Sequence, residues 1–129
     1  MIYQIKFGIP EINLFYKTLA EKAENKTINK NETRLFKKIT KTINLLSLNP
    51  KHNGLNSHEI NTLTIRFSKK TGRKYRVWQS YLENNTPSAG RLYWCYGPKK
   101  NDITIIGLEP HPEKDGYNKV TLSNIPPID

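Results

Sequence analysis

Cysteine occurs once in the 129 residues, and that scarcity excludes both an internal disulfide framework and a zinc site built from several thiolates. The single thiol, Cys95, lies between Trp94 and Tyr96, where a buried cysteine is the simplest reading, and a reducing compartment is compatible with it. Long apolar runs are missing too: no window approaches the ~20 residues that a membrane-spanning helix needs. The amino terminus, MIYQIKFGIPE, has no basic segment leading into an apolar one. A cytoplasmic protein with no membrane partner is therefore expected. Internal repeats and low-complexity segments are also lacking. Acidic residues are scarce in the middle: residues 60–100 hold nine Lys+Arg and one Asp+Glu, a local charge of +8, whereas residues 1–59 carry +5 and residues 101–129 carry −3.

What is present suits one folded domain spanning 1–129. The chain is 36% hydrophobic and 10% aromatic, and a chain this long can bury roughly two-thirds of its unfolded surface. The net charge of +10, concentrated in the middle, would draw a polyanion such as nucleic acid, or an acidic protein.

Ile2 to Phe7 reads as a strand ended by Gly8. Pro10 and Glu11 suit a first helical turn, and Ile12, Phe15, Tyr16, Leu19, Ala20 and Ala23 recur at helical spacing. Asn31 is placed to cap a second helix carrying Leu35, Ile39, Ile43 and Leu46, closed by Asn49 and Pro50. Beyond it, LTIRF, YRVWQSYL, RLYWCY and ITIIGL are short and rich in β-branched and aromatic residues, separated by turn-forming stretches. The expected fold is α+β in the order β-α-α-β-β-β, a twisted antiparallel sheet with a helical hairpin on one face and LTIRF as an added strand.

Three constellations carry chemistry. RFSKKTGRKYR, residues 66–76, holds six basic residues and no acid; Lys69, Lys70, Arg73, Lys74 and Arg76 read as a phosphate-contacting ribbon, with Arg76 inside a strand, or as a solvated hairpin tip. Along GRLYWCY, alternation assigns Leu92, Trp94 and Tyr96 to the core and sets Arg91, Tyr93 and Cys95 on the opposite face. A guanidinium at Arg91 can grip a phosphate or a carboxylate at two points. The histidines are His52, His58 and His111, whose separations match no helical metal pair or zinc finger, so neither a metal nor another cofactor is expected. His52 reads as loop surface, and His58 as structural or functional equally. His111 follows a buried strand in GLEPHPEKDGY, where a scaffold can aim an imidazole whose pKa class suits proton transfer near neutrality.

This order of elements, with NPKHNGLNSHEI between helix and sheet and then YRVWQSYL, GRLYWCYGP and ITIIGLEPH, resembles the RelE/ParE toxin superfamily over nearly the whole chain. The resemblance implies the toxin of a two-component toxin–antitoxin system, with a cognate antitoxin, mRNA and the ribosome as partners. It further implies a metal-independent endoribonuclease in which Arg91 stabilises the phosphate and His111 is the acid or base. Tyr117 would then stack or assist proton transfer, and His58 or Glu59 would be the second proton-transfer group. Lys74 and Arg76 correspond loosely to the family's basic strand and loop. GLEPHPEKDGY departs from RelE in being acidic where RelE is strongly basic, and Gly90 stands where an aromatic residue frequently precedes the arginine. ParE-like members instead bind DNA gyrase and cut nothing, and a catalytically inactive binding module on the same fold is a third reading.

Overall fold

The computed structural model describes residues 2–82 and 90–109. In chain order the elements are β1 (Gln4–Phe7), α1 (Pro10–Glu24), α2 (Lys30–Leu48), a short 3-10 turn (Asn53–Leu55), β2 (His58–Glu59), α3 (Asn61–Thr71), β3 (Trp78–Tyr81), β4 (Arg91–Tyr96) and β5 (Asp102–Glu109). The fold is α+β: among the described residues, three helices pack on a five-stranded sheet of order β1-β5-β4-β3-β2.

Helix α1 begins with Pro10 and Glu11 in its first turn, as the residue types dictate, and buries Ile12 and Leu19. The cap of α2 is Asn29 rather than Asn31. Asn29 accepts from the Glu32 N–H at 2.8 Å while the Glu32 carboxylate accepts from the Asn29 N–H at 3.1 Å, a reciprocal capping box that Asn31, with no carboxylate three residues on, cannot form. Helices α1 and α2 make the expected hairpin. They cover the sheet face that carries Leu92, Trp94, Ile103, Ile105 and Leu108.

Two expectations need correction. The sheet is mixed, not antiparallel: β1 runs parallel to β5, with Gln4 opposite Asp102 and Phe7 opposite Ile105, while the other pairings are antiparallel. The α1–α2 hairpin carries the chain back across the sheet after β1, so the first strand can join the last in the same direction. LTIRF is helical, within α3. In a strand Leu63, Ile65 and Phe67 would share a face, but here Leu63 and Phe67 pack inward one helical turn apart while Ile65 is 58% exposed. Gly72 ends α3 with φ of 71°, a left-handed conformation that glycine adopts without steric cost.

Helix α3 packs on the sheet face opposite the hairpin. Phe67 is fully buried with Val77, Cys95 and Ile106, flanked by Leu63, Tyr75 and Tyr93. Thr64 Oγ1 accepts from the Val77 N–H at 2.8 Å, and Ser68 Oγ donates to the Tyr75 carbonyl at 3.0 Å, which ties the helix to the chain entering β3. Between Tyr93 and Trp94 the β4–β5 register slips by one residue, a bulge that places Ile106 and Gly107 against the same side of β4. Among the described residues, the second face thus has α3 over a small core at one end, and no helix over the other.

Candidate functional site

The end of that face away from α3 is where β2, β3 and β4 come together. His58 is paired with Gln79 across β2–β3, Gln79 with Tyr93 across β3–β4, and Tyr81 with Arg91. Because paired residues share a sheet face, these five side chains belong to one surface. The Arg91 guanidinium carbon stands 5.7 Å from the centre of the Tyr81 ring, and the His58 ring lies 6.1 Å from the same ring on a 40° tilt. Tyr81 is thus the shared neighbour of the two groups the sequence had singled out separately.

The hydrogen bonds around His58 fix its tautomer. Nδ1 lies 3.1 Å from the Asn56 carbonyl oxygen, an acceptor only, so Nδ1 carries the proton and donates. Nε2 then keeps its lone pair, 3.4 Å from the Gln79 side-chain amide nitrogen, which can donate to it. Asn56 is left-handed with φ of 51°, and this turn aims its carbonyl at the ring. The histidine is exposed, whereas Gln79 beneath it is 7% exposed and Arg91 and Tyr81 are half-buried. An exposed imidazole whose basic nitrogen lies against the Gln79 amide, beside a guanidinium held over an aromatic ring, can accept a proton and stabilise an anion in one place.

The other site expectations divide. Alternation along β4 is as read: Leu92 and Trp94 are buried, Tyr96 packs against the same core, and Arg91, Tyr93 and Cys95 face the other way. Cys95 is fully buried, and burial pushes its thiol up to about 12. Burial likewise raises the Tyr96 phenol, with Tyr3 adding to it. Glu59 is set apart from His58, its carboxylate accepting from Thr64 Oγ1 at 3.2 Å as α3 begins. His111 and Tyr117 lie outside the described residues.

The basic stretch is not a ribbon. Lys69 and Lys70 occupy the last turn of α3, Arg73, Lys74 and Arg76 lie in the connection to β3, and all five are exposed. Arg76 precedes β3 rather than lying within it. Tyr75, in the same connection, packs against Phe67, and a Cβ on Gly97 would meet its ring at 3.1 Å, which puts this stretch at the far end of β4 from Arg91. At ~3.3 Å per residue the two ends of β4 are roughly 16 Å apart. These cations therefore do not surround the Arg91 guanidinium.

Cations nearer the site come from elsewhere. A cleft of about 310 Å³ between α2 and the end of β3 is lined by Lys38, Lys41, His52, Gly54 and Leu55, with Tyr81 as one wall. Gln79, Tyr81 and these cleft residues were missed as site residues. Alternation along Trp78–Tyr81 was the available signal for the first two; the cleft has none, since its parts lie far apart in the chain. Among the described residues, no group of three or more His, Cys, Asp or Glu side chains could hold a metal ion. None of their helices is long and apolar enough to cross a membrane. No family model, curated protein or solved structure matches the chain.

Proposed function

We propose that the chain is a RelE-like toxin, an endoribonuclease that cuts mRNA by attack of the RNA's own 2′-hydroxyl on the adjacent phosphodiester. The observation that carries the reading is the placement of His58 and Arg91 on either side of Tyr81 on one sheet face. His58 Nε2 takes the proton from the 2′-hydroxyl as the 2′-oxygen bonds to phosphorus. Arg91 stabilises the extra negative charge on the phosphate oxygens. The bond to the 5′-oxygen then breaks, that oxygen receives a proton, and a 2′,3′-cyclic phosphate and a 5′-hydroxyl result. The sequence resemblance offers His111 for this second proton and Tyr117 for stacking on a base. In the same reading an acidic or amphipathic antitoxin neutralises the basic chain, and cutting takes place on the ribosome.

The test is induced expression of wild type, His58→Ala, Arg91→Ala and His111→Ala, with mapping of cellular RNA 5′ ends. Wild type should leave codon-phased cuts; His58→Ala should slow cutting by ~10²- to 10⁴-fold, the range for loss of a proton-transfer group. Intact mRNA with broken DNA would replace this reading with gyrase inhibition. Cleavage of an all-deoxy oligonucleotide would overturn the 2′-hydroxyl mechanism.

A further inference from the structure

We propose that the cleft lined by Lys38, Lys41 and His52 is a phosphate subsite that holds a backbone phosphodiester of single-stranded RNA next to the one at His58 and Arg91. This rests on the RNA reading above and extends it, because none of these three residues belongs to the reacting set.

Two lysines from successive turns of α2 and an imidazole from the turn after it converge on one concavity, and none of the described side chains that line it is acidic. His52 Nδ1 accepts from the Gly54 N–H at 2.9 Å, so the ring proton is on Nε2 and that nitrogen is a donor. A Cβ on Gly54 would approach the His52 ring to 3.1 Å, so the glycine lets the backbone fold this tightly under the imidazole. The cleft thus presents donors and positive charge, the chemistry a phosphate requires, and its volume of about 310 Å³ accommodates a phosphate with bridging water. Tyr81 links it to the reaction site: the residue whose ring contacts His58 and Arg91 is also the cleft's wall. A strand of RNA seated over Tyr81 would place successive phosphates on its two sides. The track then runs from Arg91 toward α2, not toward the exposed cations of 69–76 at the other end of the sheet.

The experiment measures binding without cleavage. A fluorescein-labelled RNA oligonucleotide, 2′-O-methylated throughout and so without a nucleophile, is titrated against the full chain by anisotropy over a range of KCl concentrations. The proteins are wild type, Lys41→Gln, Lys38→Gln/Lys41→Gln, His52→Asn and, as a control of equal charge change, Arg73→Gln/Lys74→Gln. Each lysine that neutralises a phosphate should make the dependence of log Kd on log salt shallower by ~0.7. The expected result is a slope shallower by ~1.4 for the cleft pair, about half that for Lys41→Gln, and a smaller change for the control pair. His52→Asn should weaken binding with little change in slope. Equal slope changes for the two pairs would mean diffuse attraction to a basic protein and would overturn the subsite. A second arm titrates inorganic phosphate and follows the His52 ring by NMR. Phosphate shifts that vanish in the cleft variants while the RNA slope stays as in wild type would mean a free-anion site only, which also overturns the proposal. Because the probe cannot be cut, the outcome stands apart from the cleavage test of His58 and Arg91.

Discussion

Gly107 shows how closely one residue can control the site. It is paired with Tyr93, and a Cβ there would stand 2.9 Å from the Tyr93 ring and 3.1 Å from its Cβ. The contact with Tyr93 Cβ means that rotating the ring cannot by itself relieve the crowding. Replacing glycine by alanine would stabilise by ~0.4–1 kcal/mol through the unfolded chain where space allowed. Overpacking costs ~1–3 kcal/mol, so the clash decides the sign. Gly107→Ala should therefore lower the urea midpoint at unchanged m-value. An equal or higher midpoint would show that β4 and β5 separate more easily than the bulge suggests. At this scale the sequence was informative about identity and uninformative about company. Arg91 and His58 were each legible, the first from its place at a strand start and the second from its chemistry. Their meeting depends on Tyr81 being opposite Arg91, and that is a register no local pattern specifies.

Helix α3 is the element on which the sequence misled. Over five residues, Leu63, Ile65 and Phe67 satisfy strand alternation, while Leu63 and Phe67 alone satisfy helical spacing, and a segment this short cannot separate the two. What settles it is tertiary: Phe67 fills the space above Val77, Cys95 and Ile106, and the Thr64 hydroxyl meets the Val77 N–H. The hairpin helices were readable because their periodicity ran over several turns, with Pro10 opening α1 and Asn49 closing α2; only the cap of α2 lay two residues earlier than expected. Two substitutions discriminate helix from strand directly. Ile65→Lys should change stability by less than ~0.5 kcal/mol, because the side chain already faces solvent. Phe67→Ala should cost ~3–5 kcal/mol through the cavity it leaves. A large loss from Ile65→Lys, read by urea denaturation, would return the segment to a sheet.

Among the described residues, two ion pairs tie separate elements together, one of them joining the first strand to the last, and both carry a pH signature. Lys6 of β1 lies 3.1 Å from Asp102 at the start of β5, across the parallel β1–β5 pairing, and Lys22 of α1 lies 2.6 Å from Glu32 of α2. Burial pushes the Asp102 carboxyl up, but the Lys6 ammonium, the Lys99 N–H and the Lys99 charge together outweigh it, and the pKa falls below the ordinary value. The Lys22 ammonium, helped by the Asn29 N–H, draws Glu32 down as well. Each carboxylate binds its proton less readily folded than unfolded. The stability the pair confers is therefore fully present above the unfolded pKa of ~4 and is lost as pH falls through the lowered folded values. Protonation also removes negative charge from a chain that already carries +10, so self-repulsion acts in the same direction. Urea unfolding of wild type and Asp102→Asn between pH 7 and pH 2 separates the two effects. Wild type should be the more stable at pH 7, and the gap should close on acidification, because the variant has already lost the ionisation that links folding to pH. The slope that both proteins share below ~pH 4 then belongs to general charge repulsion and to the remaining carboxylates, Glu32 among them. A gap that stays constant to pH 2 would mean that Asp102 holds the β4–β5 turn through hydrogen bonds that an asparagine cannot replace, and that its charge against Lys6 does not stabilise the parallel pair.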